Sequence, residues 1–226
     1  MLQPSTLKFL SGLSKNNNKI WLEEHRKEYM SAKKDFEDFI SQLIKKSAAF
    51  DNDLKELQVK DCTFRLNRDI RFSKDKKPYK TNMGASLNRG GKKSLFAGYY
   101  FHLEPGDKSF AGGGLWMPMA PELKKVRQEI DYCFDEFTGI IKNKKFINHY
   151  TALDASNDIK LSNVPRGYEK TNPAAEYLKL KSFIATKNIT DEELVETSLI
   201  NQVTKAFEVL LPLIKFLNKG IEWTFV

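Results

Sequence analysis

Cysteine is scarce in this sequence: Cys62 and Cys133 are the only two among 226 residues. Two isolated cysteines provide neither a disulfide framework nor the paired spacing of a structural zinc site. Both are therefore expected to be reduced thiols, which favours a cytoplasmic protein.

Long apolar runs are also missing. No stretch approaches the roughly 18 consecutive apolar residues of a bilayer-spanning helix, and residues 1–19 lack the regions of a signal peptide. Neither a glycine- and serine-rich linker nor an internal repeat divides the chain. We therefore expect a single α+β domain over residues 1–226 and no membrane partner.

The apolar content that is present excludes a disordered chain. Hydrophobic residues make up 41% and aromatic residues 12% of the sequence, enough for a sizeable core. The formal net charge is +8, and residues 65–80 contribute seven basic against two acidic side chains, a net +5. A basic balance suits nucleic acid, an acidic membrane or a phosphorylated ligand, and it suits plain solubility equally well.

The hydrophobic pattern changes period along the chain. Helical spacing predicts a short helix near residues 5–13, a long helix over 19–50, and further helices over 121–137 and 190–217. A period of two predicts strands over residues 64–72, 83–87, 95–103 and 109–115, with shorter pieces at 159–161 and 182–185. Turns at 88–91 and 104–107 imply antiparallel pairing. The predicted fold class is α+β: an antiparallel β-meander of about four to six strands packed with long N-terminal and C-terminal helices.

The first predicted strand separates two kinds of side chain. Its apolar positions are Phe64, Leu66, Ile70 and Phe72. Arg65, Asp69 and Arg71 occupy the other parity, where residues two apart can meet. Arginine presents a planar fork that suits phosphate or carboxylate. The face is therefore either an anion site or a structural Arg–Asp network.

Arg68 breaks this alternation because it falls on the apolar parity. A buried arginine must be paired. The strand therefore either bulges at Arg68, or the guanidinium reaches a carboxylate or an anion.

A basic loop follows the first predicted strand. Lys76 and Lys80 add positive charge, and Pro78 stiffens the segment. Tyr79 either stacks on a base or packs into the core. Basic residues beside an aromatic residue are typical of nucleic-acid binding, although one aromatic residue is a weak signal.

Three consecutive glycines, residues 112–114, end the fourth predicted strand. Glycine weakens a strand, so their presence indicates close approach of a helix, a ligand or a phosphate to the backbone.

Acid–base candidates are few. His102 shares a parity with Tyr100, and it could join the arginines if the first and third strands present one face. His25 and His149 lie far away without metal-ligand spacing. Asp75 and Lys77 resemble part of a metal-nuclease pattern, but the surrounding cations oppose metal binding. No metal site and no cofactor are predicted.

Residues 65–80, RLNRDIRFSKDKKPYK, resemble the hallmark of an uncharacterised family of bacterial and fungal conserved hypothetical proteins. The resemblance covers nearly the whole chain. Its other matching residues are Asn16, Asn17, Trp21, Tyr29, residues 113–118, Arg127 and residues 165–168. The resemblance implies that the motif residues form one site, and it brings no established catalytic residues.

Our interpretation is an anion-binding protein whose ligand carries phosphate, either a nucleotide or nucleic acid, or is another acidic metabolite. Arg65, Arg68 and Arg71 would clamp the anion and Asp69 would orient them. The remaining expected contacts are Lys76, Tyr79, Lys80, Gly113 and Tyr168.

Two alternatives remain open. The first is an enzyme acting on a phosphorylated or acidic substrate, with Asp69 or His102 as general base. The second is a non-enzymatic interaction module in which the motif forms an internal salt-bridge network. The oligomeric state is left open.

Overall fold

Helices form most of the regular structure in residues 1–223, the part of the chain that the computed structural model describes. Ten α-helices lie within these residues: α1 (Pro4–Lys15), α2 (Lys19–Glu24), α3 (Arg26–Ser47), α4 (Val59–Cys62), α5 (Ala120–Tyr132), α6 (Phe134–Ile141), α7 (Lys144–Tyr150), α8 (Ala175–Leu178), α9 (Asp191–Leu194) and α10 (Leu199–Glu222). Single 3-10 turns occupy Asn52–Leu54 and Asn157–Ile159. No helix in this part of the chain is long and apolar enough to cross a membrane.

Four strands form one antiparallel sheet in the order β1-β2-β3-β4. They are β1 (Met83–Asn88), β2 (Gly98–Leu103), β3 (Ser109–Leu115) and β4 (Phe183–Ile189). The predicted α+β class with helices at both ends is confirmed. The strand predicted over residues 109–115 has those bounds, and the one predicted over residues 95–103 begins only at Gly98.

The second strand shows how the sheet separates its faces. Tyr99, Phe101 and Leu103 are fully buried, whereas Tyr100 and His102 between them are half-buried. This alternation follows from the period of two in a strand. One face of β2 therefore belongs to the core and the other presents polar aromatic side chains.

The chain divides into two compact units. The first comprises Met1–Lys92, Tyr100–Ala111 and Asn188–Lys205, and the second comprises Lys93–Tyr99, Gly112–Lys187 and the residues from Ala206 onward. The expectation of one domain stays a prediction.

In the first unit, aromatic side chains bind the N-terminal helices to the sheet. Phe101 of β2 contacts Phe36 and Phe39 of α3, with ring centroids 6.2 and 5.0 Å apart. The carboxylate of Asp35 accepts hydrogen bonds from the Gln3 N–H and the Thr6 hydroxyl, which fixes the start of α1 on α3.

The long helix predicted over residues 19–50 is interrupted at His25, which separates α2 from α3. The His25 ring stacks on Trp21 with centroids 4.0 Å apart, and its Nδ1 lies 2.9 Å from the Trp21 carbonyl oxygen. This contact between the His25 ring and the Trp21 carbonyl lies at the point where α2 ends.

A turn over residues 104–107 joins β2 to β3, as predicted. Gly106 has φ 88°, the left-handed value that glycine adopts freely. The Asp191 carboxylate at the start of α9 accepts the N–H groups of Gly106 and Asp107. The turn is therefore fixed by residues distant in sequence.

In the second unit, α10 supplies the main apolar surface. Phe207 stacks on Tyr99 with centroids 4.9 Å apart, and Phe216 contacts Phe137 of α6 at 5.5 Å. The buried amide of Asn218 accepts the Ala97 N–H at 2.7 Å and donates to the Ala97 carbonyl at 3.2 Å. The helix predicted over residues 121–137 is broken at Cys133, between α5 and α6.

Candidate functional site

The basic motif forms an irregular hairpin, and the strand predicted over residues 64–72 is wrong. Arg68 N–H donates to the Pro78 carbonyl and Lys80 N–H donates to the Leu66 carbonyl, each at 2.9 Å. Asn67 and Tyr79 form an isolated antiparallel bridge. The segment pairs mainly with itself, so its apolar residues do not share one buried face: Leu66 is buried, whereas Phe72 is 95% exposed.

Asn17 anchors this hairpin by two hydrogen bonds to the backbone of one residue, Tyr79. Its side-chain oxygen accepts the Tyr79 N–H and its amide nitrogen donates to the Tyr79 carbonyl, both at 3.0 Å. The Tyr79 side chain is itself buried. The loop between α1 and α2 thereby holds the returning arm of the hairpin.

Arg68 closes the hairpin from inside. Its Nη1 donates to Asp75 Oδ2 at 2.7 Å and to the Lys77 carbonyl at 3.1 Å, and Nη2 reaches Ser73 Oγ at 3.4 Å. The Arg68 side chain is 27% exposed, so it is partly buried. Its hydrogen bonds serve the hairpin, which matches the structural alternative for this residue.

The Arg71 side chain forms an ion pair with Asp69. Nε donates to Oδ1 at 3.0 Å and Nη2 donates to Oδ2 at 2.6 Å, a two-point contact. Hydrogen bonds from the Arg71 side chain and backbone hold the pKa of Asp69 below its ordinary value, with a smaller contribution from Arg65. Asp69 therefore stays ionised and orients Arg71, but its lone pairs are engaged there.

Arg65 and Lys80 are the motif cations at the foot of the hairpin, whereas Lys74, Lys76 and Lys77 lie near its tip. Within residues 1–223 neither makes an ion pair with a carboxylate. Lys80 Nζ lies 5.3 Å from the centre of the Phe64 ring, a cation–π contact. Partial burial and, to a smaller extent, repulsion from Arg65 lower the pKa of Lys80. Two neighbouring cations with incomplete neutralisation form an anion-attracting point.

A polar aromatic row lies beside these cations on the half-buried face of β2. Tyr100 Oη is 3.3 Å from His102 Nδ1, and His102 Nε2 is 3.1 Å from Glu104 Oε2. Phe64 contacts Tyr100 with ring centroids 6.4 Å apart. The sequence indicated His102, but it did not single out Tyr100 or Glu104. Their spacing of two on one strand is the signal that could have found them.

Neighbouring groups fix this row on three sides. Phe110 stacks on His102 with centroids 4.8 Å apart. Glu104 Oε1 accepts from the Thr81 hydroxyl at 3.4 Å and lies 3.9 Å from Lys108 Nζ. Burial raises the pKa of Tyr100, so the phenol is protonated at neutral pH.

The motif residues therefore divide between two places. Lys80 and Tyr100 both contact Phe64, and Arg65, the next residue in the chain, lies near Lys80. The tip of the hairpin carries the pairs Asp69–Arg71 and Arg68–Asp75, and Lys76 Nζ donates there to the Ile70 carbonyl at 3.2 Å.

Gly113 belongs to the second unit, where the backbone of the neighbouring strand and α10 approach it. A Cβ at position 113 would lie 3.0 Å from Tyr99 Cα and 3.2 Å from a methyl carbon of Leu210. Strand and helix packing explains this glycine.

Tyr168 also lies in the second unit. Burial and the charge of Asp131 raise the pKa of the Tyr168 phenol, while Arg127 opposes that rise. The side chain of Arg127 donates to the Leu180 carbonyl at 2.9 Å. That Gly113 and Tyr168 share a site with the arginines stays a prediction.

A cluster of potential metal ligands occurs in the second unit, at Glu129, Cys133 and Glu136, whose ligand atoms lie within 4.8 Å of one another. Lys219 Nζ is 2.9 Å from Glu129 and 3.4 Å from Glu136. The ammonium group therefore already pairs with both carboxylates.

One family model matches the chain: a conserved hypothetical protein family (DUF2461), over residues 5–216. No curated protein and no solved structure matches.

Proposed function

We propose that this chain, which belongs to the DUF2461 family of conserved hypothetical proteins, binds a small anionic ligand that carries phosphate, through Arg65 and Lys80. The ligand would sit beside Phe64, at the foot of the hairpin rather than at its tip.

The observation that carries this proposal is the distribution of acidic partners along the motif. Arg68 and Arg71 each pair with an aspartate inside the hairpin. In the part of the chain that the structure describes, Lys80 contacts the Phe64 ring and pairs with no carboxylate, and Arg65 lies close enough to lower the pKa of Lys80 further. A bound phosphate would neutralise both cations and favour the charged form of Lys80.

Of the three arginines expected to clamp the anion, only Arg65 remains in the proposed site. Arg68 and Arg71 act on the hairpin, which supports the structural-network alternative for these two residues. Lys76 and Tyr79 likewise use their hydrogen bonds to hold the hairpin together. They shape the site, and Arg65 and Lys80 bind the anion.

A second candidate function is contact with single-stranded nucleic acid through the hairpin tip. Phe72 is exposed, and the Arg71 guanidinium lies 5.8 Å from the centre of its ring. Lys74 and Lys77 are exposed on the same turn. An exposed aromatic ring among cations can stack on a base while the charges follow the backbone.

The cytoplasm is the proposed compartment. Support comes from Cys62 and Cys133, which are both free thiols; disulfides are rare in that compartment.

Binding measurements on matched variants test the proposal. The probe is ATP without metal, and the variants are Arg65→Ala, Lys80→Ala and, as a tip control, Lys74→Ala. We expect each of the first two substitutions to weaken binding by about tenfold or more, the value of a charge-assisted contact of 1.5 kcal/mol or above. Wild-type binding that both variants retain would contradict the proposal.

The same variants, together with Phe72→Ala, test the second candidate function. A single-stranded oligonucleotide replaces ATP, at two salt concentrations. If the tip binds nucleic acid, Lys74→Ala and Phe72→Ala lower the affinity, and the salt dependence is steep because counterions are released. If the ligand is small, the oligonucleotide binds no better than ATP and the tip variants behave as wild type.

A further inference from the structure

The row on the outer face of β2 has the composition of a nucleophile, a base and an orienting acid. Tyr100 lies within reach of His102, and His102 within reach of Glu104, at 3.3 and 3.1 Å. We propose that Tyr100 is a nucleophile that takes a phosphoryl group from a phosphate ester bound at Arg65 and Lys80. The choice of substrate class rests on the proposed function.

The hydrogen bonds assign each group a role. Glu104 carries no proton to give, so His102 Nε2 carries the hydrogen of the contact with Oε2. Nδ1 is then left as the acceptor for the Tyr100 hydroxyl. A base held in one tautomer by a carboxylate, and facing a hydroxyl, is the arrangement that activates a nucleophile.

The surroundings hold this arrangement in place. Phe110 stacks flat on the His102 ring, with 11° between the planes. Glu104 is additionally fixed by the Thr81 hydroxyl and by Ser109 Oγ, which accepts its backbone N–H at 2.9 Å. The nearby ionic group is Lys108, 3.9 Å from Glu104 Oε1.

Gly84 on the neighbouring strand β1 gives the phenol its space. A Cβ at this position would collide with Tyr100 Oη. Its φ is not in the left-handed range, so conformation alone does not require glycine. The missing side chain instead leaves room for the hydroxyl group.

Lys80 and the nucleophile contact the same aromatic ring. Phe64 contacts Tyr100 on one side, and Lys80 Nζ lies 5.3 Å from the centre of the same ring. Positive charge next to the reacting group stabilises the charge that develops on a transferring phosphoryl group. The Tyr100 row and the anion-binding pair therefore complement each other chemically.

The reaction would take two steps. The Tyr100 oxygen forms a bond to phosphorus, the ester P–O bond breaks, and the phenol proton passes through His102 Nδ1 to the departing alcohol. Water then attacks phosphorus and gives a proton to His102, the tyrosine–phosphorus bond breaks, and the phenol oxygen recovers that proton. The net change is hydrolysis of the ester to an alcohol and phosphate.

A neutral phosphorus reagent tests the nucleophile without the anion site. The whole protein is treated with diisopropyl fluorophosphate, and labelled tyrosines are located by peptide mass spectrometry. The Tyr100 oxygen bonds to phosphorus, fluoride leaves, and His102 takes the proton. Tyr132 is the internal reference, because its side chain is 78% exposed and lies outside the row.

We expect Tyr100 to be labelled faster than Tyr132 although it is the less exposed residue. His102→Gln should slow the labelling of Tyr100 by about a hundredfold, the usual worth of a general base, and Glu104→Gln should slow it less.

Two results would overturn the inference: labelling of Tyr100 no faster than that of Tyr132, or a Tyr100 rate that His102→Gln leaves unchanged in a folded variant. If His102→Gln does not fold, the wild-type comparison and Glu104→Gln still decide. Because the reagent carries no charge, failure of this test is independent of the ATP measurement, whose failure would instead remove the anion site.

Discussion

Asn17 shows how one side chain can determine the position of a distant motif. Its amide exchanges two hydrogen bonds with the backbone of Tyr79, 62 positions away. The pair holds the arm of the hairpin that carries Lys80. Asn17 therefore acts on the candidate site through backbone geometry rather than through contact with a ligand.

Replacing this residue separates positioning from binding. Asn17→Ala leaves a partly buried peptide without its partners, and we expect a loss of about 1–3 kcal/mol in the free energy of unfolding, measured with urea. The amide of Tyr79 should also exchange faster with deuterium. Asn18→Ala is the control: Asn18 caps α2 by accepting the Trp21 N–H, so it should lower stability with Tyr79 still protected. Unchanged deuterium exchange at Tyr79 in Asn17→Ala would show that the hairpin arm does not need the Asn17 hydrogen bonds.

Lys80 is a residue at which stability and binding should oppose each other. Its folded pKa is lowered by burial and by Arg65, so the charged form is less favourable in the folded protein than in the unfolded chain. This cost is fully present below the folded pKa and disappears once the pH exceeds the unfolded value.

Lys80→Met keeps most of the volume and removes the charge. At pH 7 the urea midpoint is expected to rise relative to wild type while ATP binding is lost. The comparison variant Lys74→Met, at an exposed position of the tip, should change neither. A lower midpoint in Lys80→Met would mean that the ammonium group is satisfied without a ligand.

At the scale of elements, the hairpin over residues 64–80 is held by Arg68 and its three acceptors. Arg68→Ala should therefore open the tip, and limited trypsin digestion should cut after Lys74 and Lys76 faster than in wild type. Arg71→Ala is the matched control, since the Arg71–Asp69 pair is exposed and exposed pairs contribute little. Equal cleavage rates in the two variants would contradict the role given to Arg68.

The same hairpin marks what the sequence could not predict. Alternation of apolar and polar residues indicated a strand over 64–72, but alternation alone does not supply a partner strand. Pro78 has no backbone N–H group to donate to a neighbouring strand. The returning arm is instead held by Asn17, which is far away in sequence. Phe72, counted as part of an apolar face, is exposed because the chain turns before a sheet could cover it.

Elements with strong local signals were predictable. Met83, Ala85 and Leu87 lie in β1, and the capping box at Thr190 and Glu193 begins α9. The single helix predicted over residues 190–217 is, however, divided into α9 and α10. The breaks at His25 and Cys133 were missed because apolar spacing continues across them. At the site, the basic residues were visible in the sequence, whereas their division into paired and unpaired cations depends on which aspartate each guanidinium reaches.

At the scale of the whole molecule, a ligand that binds only the folded state must stabilise it. ATP at about 100 times its dissociation constant would add about 2.7 kcal/mol, which raises the melting temperature of a chain this long by several degrees. Arg65→Ala should abolish the shift. A shift of equal size in that variant would place the binding elsewhere on this basic protein.

The most direct test of the anion site is the ionisation of Lys80 itself. Its pKa can be followed by NMR of the side-chain carbon next to the ammonium group, assigned with Lys80→Met, without ligand and with saturating ATP. We predict a pKa below the ordinary 10.5 in the free protein and a clear rise when ATP is bound, because a phosphate next to the ammonium group favours its charged form. A Lys80 pKa that saturating ATP does not change would contradict the account.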